Sequence, residues 1–443
     1  MVDCGAAAPG AARGKPPAPA KVLPGRRSRV TREPGLPSAP FVPLSTGPVV
    51  PASGRVRAAI AYVVLFGAIG AYAPYIVLYY QSLGFDLATI GLIVSLASVV
   101  GLLAAPAWGA LSDHLCGSPV VLAAATAVGV AGVGLLSLAR APLLVVASAA
   151  VLGAGMSGLS PIIDARALET AGGDRSGYGP LRAWGSASYI VVAFATGAAI
   201  ERWGIWALFP ILAACLVATA VVGVTLRPAL ARAAARPLRE ASRLFGPRGL
   251  GLFLVGAFLT WASVSAVVGF YSLRYIELGA SAVIVGLSSA VGAAVEVPIM
   301  LRFPSLAARF GAERILVAGA AIFAVRAVLA GLTTDPAVLV FGAGMGGVGF
   351  ALFLVGGVTW VSRHAPPELA ATAQGIFQGV TISLSAVVAA ATGGAIATLF
   401  GLAGLYLLAA GLGAIAAGII ALAVRCERGP APHFRTSDES EAR

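Results

Sequence analysis

Runs of about 20 apolar residues recur along this chain between residues 58 and 424, broken by short polar or Gly/Pro-rich stretches. A run of that length crosses ~30 Å of hydrocarbon at ~1.5 Å per residue. The pattern predicts twelve transmembrane helices, at about 58–80, 88–110, 119–139, 142–164, 179–200, 205–226, 250–275, 282–303, 314–332, 336–361, 371–398 and 402–424. Residues 1–54 are rich in Pro, Ala and Arg without apolar periodicity and read as a disordered tail. Residues 425–443 form a second tail. An even number of crossings puts both tails on one side.

The pattern is written twice. Tyr80-x-x-Leu83-Gly84, six residues, Gly91-Leu92 returns 195 positions later as Tyr275-x-x-Leu278-Gly279, six residues, Gly286-Leu287. Thr196-Gly197-Ala198-Ala199-Ile200 recurs 196 positions later as Thr392-Gly393-Gly394-Ala395-Ile396. Two echoes at nearly one offset argue for duplicated six-helix bundles, 55–226 and 250–424, joined by a linker at 227–249. Parallel internal repeats in a membrane protein point to a transporter, with its substrate site near the midplane between the halves.

The chain is 58% hydrophobic and 11% charged, where a soluble domain carries about 25% charge. Its net charge of +12 is sorted by loop rather than gathered for nucleic acid. With the N-terminus inside, 26 of the 30 Lys and Arg fall in tails and inner loops, and three, Arg140, Arg202 and Arg274, in outer loops. Arg326 alone lies deep in a helix. The positive-inside rule then places both termini in the cytoplasm, with the chain in the cell's inner membrane. The linker holds Arg227, Arg232, Arg236, Arg239, Arg243 and Arg248 against Glu240. It reads as a solvated segment held inside by its charge, or as a patch docking on anionic lipid.

Several chemistries are excluded. The only lysines are Lys15 and Lys21, both in the N-terminal tail. No P-loop Gly-Lys-Ser/Thr exists, and no helix carries a Schiff-base lysine. Cys4, Cys116, Cys215 and Cys426 lack clustered spacing, as do His114, His364 and His433. Neither a metal site nor a disulfide framework is indicated, and no cofactor is expected. No nucleophile–base–orienter cluster supports an enzyme.

Between the second and third segments stands Gly109-Ala110-Leu111-Ser112-Asp113-His114-Leu115-Cys116-Gly117. It resembles motif A of the major facilitator superfamily, Gly-x-Leu-x-Asp-Arg-x-Gly-Arg-Arg, with His114 for the first Arg and Ser118-Pro119 for the last pair. Pro161-Ile162-Ile163-Asp164 closes the fourth segment and Tyr178-Gly179-Pro180-Leu181-Arg182-Ala183-Trp184-Gly185-Ser186 opens the fifth. Pro366-Pro367-Glu368-Leu369-Ala370-Ala371-Thr372-Ala373-Gln374-Gly375 leads into the eleventh. Together these strings resemble the phenylpropionate-permease-like branch, related to the lactose-permease type of proton symporter, over about residues 58–424. Pro180 departs from the Arg or Lys often found there. The resemblance implies two parallel six-helix repeats working by alternating access, with Asp113 in a latch at the inner side.

An ionisable group inside a membrane helix costs ~2.5–3.5 kcal/mol or more without a partner and marks a candidate site. Glu296 lies ~21 Å from the outer end of the eighth segment and Arg326 ~18 Å from the inner end of the ninth. Ser289, Gly292 and Glu296 share one helix face, which suits a lined cavity. The related symporters carry a Glu and an Arg at these two places, which implies that Glu296 and Arg326 couple proton and substrate. A static ion pair tying the two helices is the competing reading. Asp164 and Arg182 could pair as an inner gate, or snorkel to water with Arg166.

Gln374, Gln378, Thr381 and Ser385 form a polar stripe on the eleventh segment, either lining the pore or bonding to a neighbouring helix. Tyr72 and Tyr75 are deep enough on the first segment to stack on a substrate ring, while Tyr79 fits an aromatic belt. The five glycines from Gly342 to Gly349 read as a close-packing face. The expected function is proton-coupled uptake of a small organic solute (an aromatic acid, a sugar or a nucleoside) by a monomer in the bilayer. Proton-driven efflux is the alternative, and a membrane receptor or enzyme a remote third.

Overall fold

In the computed structural model the described residues are 52–115, 119–170, 178–226, 248–365 and 369–427, all within one compact unit. Most of the predicted tails and of the basic linker, and the last residues of motif A, lie outside them, while residues 52–54 and 425–427, assigned to the tails by the sequence, are helical. The described backbone is helical almost throughout, as a spanning chain must be when no water is present to satisfy it.

The first crossing is α1 (Ala52–Tyr72) continued by the short α2 (Ile76–Ser82). Then come α3 (Leu87–His114), α4 (Pro119–Leu138), α5 (Pro142–Ser157) with α6 (Leu159–Thr170), α7 (Tyr178–Trp203) and α8 (Leu208–Gly223). The second half opens with α9 (Arg248–Gly269) and α10 (Tyr271–Glu277), followed by α11 (Ala282–Phe310), α12 (Ala312–Leu332) and α13 (Pro336–His364). It ends with α14 (Ala370–Gln378), a π-helical turn (Gly379–Leu384) and α15 (Ser385–Glu427).

Eleven helical stretches among the described residues are long and apolar enough to cross a bilayer, the last being Thr372–Cys426, of 55 residues. At ~1.5 Å per residue it is far too long for one ~30 Å crossing. Gly401, at φ 71° and ψ 173°, folds it into two. Twelve crossings result, as the apolar pattern predicts. The eighth departs from its predicted end: α11 runs through Pro298 and Pro304 to Phe310. A proline interrupts the hydrogen-bond ladder, but in a bundle neighbouring helices can re-satisfy the freed groups.

The repeat has a physical meaning. α2 and α10 occupy equivalent positions: the break before α2 spans residues 73–75 around Pro74, and the break before α10 falls at Phe270, just after Gly269, the residue 195 positions past Pro74. Proline removes a donor and glycine weakens a helix, so different residues make the same break. Each short helix then turns on a glycine with positive φ, Gly84 at 85° and Gly279 at 76°.

In the first half α1 packs on α7 and α8, α4 on α5 and α8, and α3 on α5. In the second, α9 packs on α15, α12 on α13 and α15, and α11 on α13. The halves meet along α7 with α11 and along α3 with α15. Glycines permit those meetings. A Cβ on Gly197 would stand 2.6 Å from the carbonyl oxygen of Ala282, one on Gly286 2.7 Å from that of Ala193, and one on Gly91 2.9 Å from Cα of Gly394. All these contacts lie toward the helix ends remote from the chain termini, called here the far end.

Candidate transport cavity between the halves

On the near side of that seal the halves part around a cavity of about 430 Å³. From α11 it receives Ser288, Ser289, Gly292 and Glu296, the face that the sequence spacing singles out. From α7 it receives Arg182, Ser186 and Tyr189, and from α12 Arg326. Arg182 sits only four residues past the start of α7, so the cavity reaches toward the near end. Glu296 lies about midway along α11, 14 residues past Ala282.

Three charged side chains line this space, and none forms an ion pair with another. An ion pair does form elsewhere, between Arg274 and Glu277, 2.7 Å apart at the far end. The cation acting on Glu296 is Arg182, from the opposite half. Arg182 itself lies over Phe66, its guanidinium carbon 3.6 Å from the ring centre. Arg326 lies over Tyr271 at 5.3 Å. Aromatic faces attract guanidinium groups and hold them without neutralising them.

Behind Arg326, a Cβ on Gly346 would stand 2.6 Å from Nη1. Part of the glycine-rich face of α13 is thus room for an arginine. The rest is close packing, with Gly349 against Phe323 and Gly319. Gly346→Ala should displace the guanidinium at little cost to the backbone. Solute uptake should fall while the melting temperature in detergent stays near wild type.

The far end of the cavity is closed by hydroxyls. Tyr271 and Tyr275 share a hydrogen bond of 2.8 Å, and Tyr275 donates to Ser288 Oγ at 2.7 Å. Tyr271 also contacts Ser288 directly.

The other candidate residues lie elsewhere. Tyr75 is fully buried in the far-end seal, donating to the carbonyl of Ala193 at 2.6 Å and that of Ala282 at 3.3 Å. Tyr72 lies beside Tyr80. Gln374 donates to the carbonyl of Val358 at 2.8 Å and to Ser362 Oγ at 2.9 Å, tying α14 to α13. Gln378 is half-buried and outside the cavity lining. Asp164 accepts from the Tyr62 hydroxyl at 2.7 Å, and Arg166 is buried, donating to the carbonyl of Leu226 at 2.7 Å. Asp113 falls in the last turn of α3, and its side chain lies outside the described residues.

Tyr189 and the placement of Arg182 in the cavity are what sequence reasoning missed. The signal was there, because Arg182, Ser186 and Tyr189 are spaced i, i+4 and i+7 on one helix face.

Two helical halves around a charged cavity, sealed at one end, define a secondary transporter of the major facilitator type. The profile of the MFS_1 like family matches residues 56–408, and the chain belongs to that family. A maltose permease of Geobacillus stearothermophilus is 29% identical over 329 residues, covering 73% of this chain and 83% of the relative. The uncharacterized transporter YwbF of Bacillus subtilis (strain 168) is 25% identical over 296 residues, 66% and 73% of the two chains. Among solved structures, the nucleoside transporter NupG matches with TM-score 0.74 at 17% identity, covering 84% of this chain and 99% of its own. The POT family transporter PepTSo gives 0.66 at 10% identity, covering 85% and 99%.

Proposed function

We propose that this chain takes up a small organic solute together with protons, by alternating access of residues 55–226 and 250–424 around the cavity. The observation that carries this reading is Glu296. It is a carboxylate inside the bilayer span, lining the space between the halves, with no cation within 4.0 Å among the described residues. A lone carboxyl that feels a guanidinium of the opposite half changes its proton affinity when the halves rock. Arg182 supplies that guanidinium, and Arg326 offers a second donor to the solute.

A cavity of about 430 Å³ falls within the ~300–1,000 Å³ of small-molecule sites. The maltose permease relative favours a sugar. Two guanidinium groups against one carboxylate, with Phe66, Tyr189 and Phe350 around them, favour an aromatic acid. The excess of basic residues beside the near-end helix termini supports cytoplasmic termini and an extracellular far end. The protein acts as a monomer in this reading.

The test is solute-dependent proton flux in proteoliposomes, screened over sugars, nucleosides and aromatic acids. External alkalinisation on adding a solute outside is the expected result. Acidification would mean exchange and hence efflux, and no flux with any solute would sink proton coupling.

A further inference from the structure

The two copies of the repeat treat one helix start differently. Asp86 precedes α3, and its Oδ1 accepts from the backbone N–H of Thr89 at 3.2 Å. These Thr89 contacts hold the Asp86 carboxyl below the usual range. α3 therefore carries its own N-terminal cap. The equivalent residue 195 positions on is Ser281, the residue before α11. Serine is also a good capping residue, yet its side chain makes no capping bond.

The cap comes from the other half instead. Glu201, in the last turn of α7, accepts from the backbone N–H of Val283 at 3.1 Å, with the Ser281 side chain beside the same carboxylate. A carboxylate at this place satisfies an orphan donor and meets the positive end of the helix dipole. The same first turn of α11 is also held by Tyr75 at the Ala282 carbonyl and touched by Gly197. The α3/α15 seam has no counterpart. The residues standing where Glu201 would recur at offsets of 195 and 196, Ile396 and Ala397, carry no acid.

We propose that Glu201 is a positioning residue of the transport cycle, a cap lent by the first half to α11 of the second that holds the far end closed. This inference rests on the transporter reading above. The bond spans the two halves, so it must break whenever the far end opens. Its loss therefore acts on the balance between the two states rather than on the cavity. Ser281, left without a cap of its own, makes α11 depend on Glu201.

The test uses the full chain in nanodiscs, with the four native cysteines replaced and spin labels at Leu138 and Leu332. These exposed residues end α4 and α12 at the far end, one in each half. Glu201→Ala is expected to raise the ratio of long to short inter-label distances about two- to fivefold, the scale of an exposed charge at a helix terminus. Adding Ser281→Asp gives α11 a cap of its own, as α3 has, and should leave the distances shifted. An unchanged distribution in Glu201→Ala would overturn the proposal. So would a return to wild-type distances in the double variant, because the effect would then be local helix stability. A wild-type protein that moves no solute would defeat the transport reading without altering these distances.

Discussion

Gly286→Val should hold the far end open. In the closed arrangement a Cβ at residue 286 would stand 2.7 Å from the Ala193 carbonyl oxygen and closer still to the Tyr75 hydroxyl. Ala193 belongs to backbone on the opposite half, so it cannot swing aside as a side chain could. Overpacking of this kind costs about 1–3 kcal/mol, which at 1.4 kcal/mol per tenfold is about a 5- to 150-fold shift in a two-state balance. The cost falls only on the closed state, since opening separates α7 from α11. The variant should therefore fold and insert normally, while a cysteine introduced at Ser288, on the cavity's far side, becomes reactive to impermeant thiol reagents from that face. Uptake should drop by a similar factor. Gly251→Val is the control, because nothing lies within 4 Å of a Cβ there. Normal uptake by Gly286→Val would mean that the seal is not this tight.

Most of the fold was legible because its determinants are local. Apolar run length fixes a crossing whatever its neighbours are, and Asp335 ahead of Pro336 caps α13 by accepting from the N–H of Ala337 at 2.8 Å. The repeat was legible for the same reason: glycines at 84 and 279 are required by positive φ. The spacing of Ser289, Gly292 and Glu296 could point to one face because a helix converts spacing into direction. Partner identity was not legible. Tyr75 and Gln374 are a deep tyrosine and a polar stripe residue, and both patterns fit a cavity. Which side of the helix faces the cavity depends on residues up to 207 positions away, as with Tyr75 and Ala282. Likewise Glu296 and Arg326 stand at compatible depths, yet the cation acting on Glu296 is Arg182, reached only because α7 packs on α11.

Glu296→Gln separates the two roles open to that carboxylate. Glutamine keeps the volume and can still accept a hydrogen bond, but it cannot take or release a proton. If Glu296 carries the coupled proton, the variant should still alternate and exchange solute across the membrane, because binding and rocking remain. It should no longer accumulate solute. A potential of 100 mV contributes ~2.3 kcal/mol per charge, worth about a 50-fold concentration ratio for a neutral solute moved with one proton. That ratio should collapse to about one in proteoliposomes carrying Glu296→Gln, with counterflow retained. If Glu296 were instead a structural acid, the amide would lower stability and leave the accumulation ratio near wild type. Arg182→Gln provides the complementary measurement. Removing the one cation that acts on Glu296 from the first half should shift the pH dependence of uptake while leaving the accumulating capacity in place. Counterflow and accumulation lost together in Glu296→Gln would place the residue in solute binding rather than in coupling.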